Sequence, residues 1–348
     1  MIDEYTINYL LLAFLITYVL SRFATGWLLK VLQRHTVFDH PNYRSSHSRP
    51  VPRGGGIVVV GMLVLAWGHF GILAPYAMPT VFTILGCVLA LAAISWVDDL
   101  RGLSPLLRLI CQTIAVAIGL WTLPDSLVFQ GLFTPWIDTV IVAIIWLWFI
   151  NLFNFMDGID GISAAETVAI GLGIVLISAM LNLGTDITFY GLTLAATTFG
   201  FLQWNWQPAK IFLGDVGSVS LGFLVGWLLL TMAAAGQWVP ALILPLYYLA
   251  DATITLLRRL VRGEKVWMPH RTHFYQQATK KPGTHAGAVH RVNVTNIVLV
   301  ILAVVAAMYP EIALFLLLFA GLIVSLLLWT FAKNPIEVPK SISAQIKD

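Results

Sequence analysis

Apolar stretches about as long as a bilayer is thick alternate with short polar segments from one end of the chain to the other. A spanning helix needs about 20 mainly apolar residues. Eleven runs meet that length, at 8–29, 56–74, 79–97, 106–123, 136–153, 163–183, 187–203, 216–235, 239–258, 293–309 and 311–332. The last two meet at Tyr309-Pro310-Glu311, which reads either as a tight hairpin or as one kinked segment. From Lys333 onward the chain is polar. The pattern predicts an all-α integral membrane protein, a polytopic bundle of ten or eleven transmembrane helices. One domain covers 1–332, and 333–348 form a polar tail. No internal repeat or low-complexity segment interrupts it.

Composition agrees: 59% of the 348 residues are apolar and 11% charged, against about 45–50% and about 25% in a soluble domain. Cys87 and Cys111 fall inside apolar runs, as buried thiols without a disulfide would. The acidic start of the chain (Asp3, Glu4) does not look like a cleavable signal peptide.

The net charge of +3 says less than its placement. Segments following odd-numbered runs hold sixteen of the twenty Lys and Arg residues, and those following even-numbered runs hold none. Basic residues collect on the cytoplasmic side, so the N-terminus is expected to be periplasmic and the C-terminus cytoplasmic. Every polar constellation lies on the same basic face. That predicts one site at the membrane boundary, with no nucleic-acid partner.

The most informative run is Asn151-Leu152-Phe153-Asn154-Phe155-Met156-Asp157-Gly158-Ile159-Asp160-Gly161. It sets an amide and two carboxylates three residues apart at the end of an apolar segment, where an unpartnered acid is costly. Asn154, Asp157 and Asp160 share a slowly rotating face if helical; the glycines equally permit a broken loop, and an Asx-rich cap opening the next helix is the structural alternative. Asp98-Asp99 close the third run, with Arg101 placed to orient one of them. Asp215, in Phe212-Leu213-Gly214-Asp215-Val216-Gly217-Ser218, reads either as a helix cap or as a metal ligand. Oxygen donors shared with a phosphate suit Mg²⁺. Arg44 and Arg53, the latter leading Gly54-Gly55-Gly56, can contact phosphates. Those glycines would let the backbone approach an anion or let the second helix pack closely. His270-Arg271-Thr272-His273 lies in the longest basic segment. Asp251 sits within the ninth run, with Arg258 or Arg259 placed to neutralise it.

Such a site suits a soluble diphosphate meeting a lipid. The sequence resembles the polyprenyl-phosphate N-acetylhexosamine-1-phosphate transferases, glycosyltransferase family 4. Its matching runs are Asp39-x-Pro-x-x-Arg44-x-x-His47, Pro52-Arg53-Gly54-Gly55-Gly56, Asp98-Asp99-Leu100, Asn154-x-x-Asp157-Gly158-x-Asp160-Gly161, Asn205, Phe212-Leu213-Gly214-Asp215-x-Gly217-Ser218 and His270-Arg271-x-His273.

The resemblance implies transfer of N-acetylhexosamine 1-phosphate from a UDP-sugar to undecaprenyl phosphate, releasing UMP. It assigns catalysis to Asp98, Asp99, Asp157 and His273. Mg²⁺, with Mn²⁺ as a substitute, falls to Asp215, Asn154 and Asp157. Substrate binding falls to Arg44, His47, Arg53, Asn154, Asp160, Asn205, Phe212, His270 and Arg271. Within these, Asp160, Asn205 and Phe212 match the uridine contacts, and the Asp98-Asp99 pair lies where the lipid phosphate arrives. It places the protein in a bacterial inner membrane and leaves a homodimer open. Gly102, where muropeptide-type enzymes usually carry Lys, and a His-Arg-Thr-His rather than a triple-His motif both favour enzymes that start O-antigen or related surface glycans. The alternatives are the phospho-MurNAc-pentapeptide branch, an intramembrane aspartyl protease suggested by Phe212-Leu213-Gly214-Asp215, which lacks the first Gly of a Gly-x-Gly-Asp site, and a transporter, against which the absence of a repeat weighs.

Overall fold

The computed structural model describes residues 4–35, 38–39, 49–124, 127–266, 268, 270–279 and 285–333. Among them, helix dominates: α1 (Glu4–Arg34), α2 (Gly56–Leu73), α3 (Met78–Arg101), α4 (Pro105–Leu120), α5 (Pro135–Met156), α6 (Ile162–Leu181), α7 (Thr185–Asn205), α8 (Gly214–Met232), α9 (Trp238–Ile243), α10 (Leu246–Val261), α11 (Phe274–Ala278), α12 (His285–Met308) and α13 (Ala313–Ala332). The one sheet is a ribbon of β1 (Phe38–Asp39) and antiparallel β2 (Val51–Pro52). Eight helical spans are long and apolar enough to cross a membrane, and shorter apolar helices complete an all-α polytopic bundle. The segments bearing Arg44, His47 and the tail from 334 lie outside the described residues.

Ten of the eleven predicted runs are realised as single helical spans. The ninth is corrected. It breaks between α9 and α10 at Leu244-Pro245, because proline has no amide to donate and clashes with the preceding turn. At the other junction, Pro310–Ile312 form a single 3₁₀ turn, and α12 packs back on α13, so that pair is a hairpin. Helix α7 realises the run at 187–203 although threonines interrupt its apolar pattern. Thr193 and Thr198 return their hydroxyls to the Phe189 and Leu194 carbonyls at 2.8 Å each, so this buried helix needs no lipid-compatible surface.

The core is organised around α8, in which every residue except Asp215 is buried. Gly222 and Gly226 admit the α5 backbone and the Trp146 ring, and Trp146 Nε1 donates to the Phe223 carbonyl at 3.0 Å. The triple glycine serves packing. A Cβ at Gly56 would strike the Gly217 backbone of α8. The adjoining Gly55 and Gly56 amides donate to the Phe212 and Leu213 carbonyls at 2.8 Å each, while the Phe212 amide donates to the Pro52 carbonyl at 2.8 Å. This join carries Arg53 to the start of α8.

Candidate active site

Four helix ends meet at one end of the bundle. Arg53 is their hub: its Nη2 lies 2.7 Å from Asp99 Oδ1 and 2.8 Å from Asp215 Oδ1. Burial works against this guanidinium's charge, but Asp215, Asp99, Asp39 and Asp157 outweigh it and push the Arg53 pKa above its ordinary value. Asp215 occupies the first turn of α8, and its carboxylate accepts from Arg53 at 2.8 Å, not from a backbone amide of that turn.

Asp98 is oriented by Arg108, not by Arg101. Arg108 Nη1 donates to Asp98 Oδ2 at 3.0 Å, and the Leu103 amide donates to Oδ1 at 2.6 Å. Ser104 accepts from the Leu107 amide at 3.3 Å and Pro105 opens α4, so the chain reverses and returns Arg108 to the end of α3. Arg108 also approaches Asp215 Oδ2 at 3.9 Å, which makes it a site residue that the sequence reading missed.

The Asn154–Asp160 run is neither one helical face nor a cap. Asn154 is the last of its polar residues inside α5, Asp157 is the residue on which that helix ends, and Gly161 precedes α6 without a side-chain cap. Asn154 Nδ2 donates to Ser218 Oγ at 2.8 Å, tying α5 to α8. The half-buried Asp157 is surrounded closely enough for its carboxyl to be pushed up to about 7. Burial is the main cause, with Asp215 adding to it and a hydrogen bond from Ser163 and the Arg53 charge opposing it.

Asp160 turns the other way. It accepts from the Ala209 amide at 3.0 Å and faces His285 Nδ1 at 3.3 Å. Asn205 uses both ends of its amide on backbone: Oδ1 accepts from Gly161 N at 3.0 Å, and Nδ2 donates to the Ile211 carbonyl at 2.9 Å. Asn205 thereby clamps the turn before α6 to the strand-like join at Phe212.

The His-Arg-Thr-His segment is held from beneath by Asp251. This buried carboxylate accepts from the Phe274 and Tyr275 amides at 3.0 Å each and from His273 Nδ1 at 3.1 Å. The expected arginine partner is corrected. Arg259 binds Glu264 at 2.7 Å and the Lys265, Val266 and Met268 carbonyls, while Arg258 lies over the Phe274 ring at 4.7 Å. Backbone amides at the start of α11 neutralise Asp251 instead.

His273 is 4% exposed, so its proton sits in the interior. His270 stacks on it, with ring centroids 4.8 Å apart. Burial, then His273 and Arg259, lowers the His270 pKa to about 3. Its Nδ1 accepts from the Thr272 amide at 3.3 Å, so the ring is neutral and carries its proton on Nε2. Arg271 is half-buried near enough to Tyr275 to act on it electrostatically.

Tyr275, also missed in the sequence, joins this segment to the acidic run: its hydroxyl donates to the Phe155 carbonyl at 2.9 Å and lies where a Cβ at Gly158 would go. Gly158→Ala is expected to destabilise the protein by about 1–3 kcal/mol. Adding Tyr275→Phe, which removes the obstructing oxygen, should make the pair less than additive. Thermal unfolding of the two single variants and the double variant checks this; strict additivity would refute it.

Among the described residues, no three His, Cys, Asp or Glu side chains already converge on a common point. The donor chemistry nonetheless fits a hard divalent cation: carboxylates and an amide border the cluster. Both oxygens of Asp99 are buried, and the Arg53 charge that faces them is opposed by Asp215 and Asp98.

Carboxylates, guanidinium groups and a neutral imidazole thus gather at one end of the multi-pass bundle. The sequence family described as glycosyl transferase family 4 matches residues 81–233. The chain is 25% identical over 313 residues to a probable undecaprenyl-phosphate N-acetylglucosaminyl 1-phosphate transferase of Bacillus subtilis (strain 168), covering 86% of this chain and 84% of that one. Over 309 residues it is 28% identical to a decaprenyl-phosphate N-acetylglucosaminephosphotransferase of Mycolicibacterium smegmatis, covering 78% and 75%. Over 242 residues it is 25% identical to a phospho-N-acetylmuramoyl-pentapeptide-transferase of a Wolbachia species from Brugia malayi, covering 62% and 71%.

Proposed function

We propose that this protein transfers an N-acetylhexosamine 1-phosphate, or its 6-deoxy counterpart, from a UDP-sugar to undecaprenyl phosphate. An acceptor phosphate oxygen attacks the sugar-side phosphorus of the diphosphate. The new P–O bond forms as the bond to the uridylyl oxygen breaks, and UMP leaves with the electron pair. The observation that carries this reading is the Arg53 junction with Asp99 and Asp215, a charged floor at the end of an apolar bundle, where a lipid phosphate and a soluble diphosphate can meet.

In this reading Arg53 and Arg108 bind phosphate oxygens, as guanidinium groups do with fixed geometry. Asp98 and Asp99 align the acceptor. His270 donates its Nε2 proton as a hydrogen bond to the diphosphate, beside Arg271, while His273 and Asn205 hold the segments that face the substrate. Asp160 and Phe212 border the uridine. Asp215, with Asn154 and Asp157, would hold Mg²⁺ or Mn²⁺; when bound, such an ion neutralises phosphate charge and polarises the attacked phosphorus. The site faces the cytoplasm of a bacterial inner membrane, and the step begins an O-antigen or related surface glycan. The Wolbachia relative keeps the phospho-MurNAc-pentapeptide donor as the second reading.

Purified protein should turn over UDP-N-acetylglucosamine, GalNAc or 6-deoxy analogues to UMP only with both Mg²⁺ and undecaprenyl phosphate present. Turnover in EDTA would overturn the assignment, and preference for UDP-MurNAc-pentapeptide would select the second reading. The raised Asp157 carboxyl adds a pH dependence. Below about 7 it holds a proton that a metal must displace, so metal affinity rises with pH. Half-saturating Mg²⁺ should fall about tenfold between about pH 6 and pH 8; a flat titration would remove Asp157 from the ligand set.

A further inference from the structure

The end of the bundle remote from Arg53 holds a second, half-open space. The turn before α3, the turn after α4, the start of α7 and the last turns of α8 surround a cavity of about 400 Å³, within the range of about 300–1,000 Å³ usual for small-ligand sites. Helix α8 runs from Asp215 at the active site to Thr231 at this cavity, so the two lie about 24 Å apart at 1.5 Å per residue.

Four aromatic residues, Tyr76, Trp121, Tyr190 and Trp227, line it with Thr122 and one carboxylate, Asp186. Trp227 Nε1 donates to Thr122 Oγ1 at 3.0 Å, and the Tyr190 and Trp227 rings lie 5.8 Å apart. Asp186 is close enough to act electrostatically on both Tyr76 and Tyr190. Tyr190 is 2% exposed, and its hydroxyl has no hydrogen-bond partner among the described residues.

Among the described residues no Lys, Arg or His forms an ion pair with Asp186. The sequence supplies no Lys or Arg in any segment that follows an even-numbered span, so this end of the bundle has none to offer. Asp186 lies half-buried in the first turn of α7 and is open to a cationic ligand. A lone carboxylate among aromatic rings offers a divalent metal a single protein oxygen donor group, far from a built metal site. Aromatic rings around a single acid are instead surroundings that suit an organic ammonium group.

We propose that this cavity binds an organic ammonium group, carried by a lipid head or by a free amine, through Asp186 and the aromatic side chains of Tyr76, Trp121, Tyr190 and Trp227 that line it. The test uses the whole protein in nanodiscs of phosphatidylglycerol, which brings no ammonium group, with radiolabelled choline as the probe. One saturable site per chain is expected. Asp186→Asn should weaken it at least about tenfold, since the only charge is lost. Trp121→Leu removes a ring that is 86% exposed and dispensable for folding, and should weaken it about threefold. Both variants should keep wild-type transferase turnover. Displacement of choline on adding phosphatidylethanolamine to the discs assigns the cavity to a lipid head; displacement only by soluble ethanolamine assigns it to a free amine. The proposal falls if wild-type protein shows no saturable choline binding, if Asp186→Asn binds as tightly as wild type, or if N-acetylglucosamine displaces the probe as well as amines do.

Discussion

Asp215→Ala is expected to lower turnover by at least about 10³-fold while leaving the protein folded. The two halves of that expectation have separate grounds. Asp215 is the single residue of α8 that is not buried, it caps nothing, and its partner Arg53 is one-third exposed. A partly solvated ion pair contributes about 1 kcal/mol or less, and Arg53 keeps Asp99 in the variant. The chemistry has no such reserve, because Asp215 is where two guanidinium groups and the proposed metal position meet. Arg53→Ala should be comparably damaging, and Arg53→Lys only partly better, since an ammonium cannot bridge two carboxylates in a fixed plane. The Arg53–Asp215 double variant should lose far less than the product of the single losses. Steady-state UMP release beside thermal unfolding checks all of these together; Asp215→Ala turnover within tenfold of wild type would refute the assignment.

Asp251→Leu should combine a large loss of stability with a large loss of activity. Removing this carboxylate leaves the His273 ring and the Phe274 and Tyr275 amides buried without an acceptor. Breaking a buried charged network in this way costs about 3–5 kcal/mol. The damage should centre on 270–279, with faster hydrogen exchange through α11 and quicker tryptic cleavage at Arg271, while α5–α8 stay protected. Asp251→Asn keeps the shape and one acceptor oxygen, so it should fall between. Unchanged exchange in α11 with full activity would show that the segment is held by other means.

The contrast between these residues explains what was legible beforehand. Hydropathy and the placement of basic residues reveal spans because each depends only on local sequence. The opposed carboxylates at Asp98-Asp99, Asp157 and Asp215 could be collected on one face for the same reason. The break at Leu244-Pro245 had a local signal in the proline, but the apolar run around it hid the boundary. Arg108 was passed over for Arg101 because sequence proximity outweighed the reversal that Ser104-Pro105 encodes. Asp251 could be flagged as costly but not explained, since besides its side-chain partners Tyr247, Thr255 and His273 it accepts from backbone amides 23 and 24 residues downstream, and a backbone amide carries no sequence signal. Tyr275 and Gly158 lie farther apart still and are connected only by packing.

The seclusion of α8 also bears on how the protein answers to its membrane. Lipid-facing helices such as α1, with 31 residues, and α13 can tilt when bilayer thickness changes, which is how a mismatch between helix length and hydrocarbon depth is absorbed. Helix α8 touches protein on every side, so the depth of Asp215 is set by its neighbours and not by acyl chains. Transfer should therefore hold nearly constant across bilayers of different chain length, with the outer helices serving as a suspension around a fixed axle.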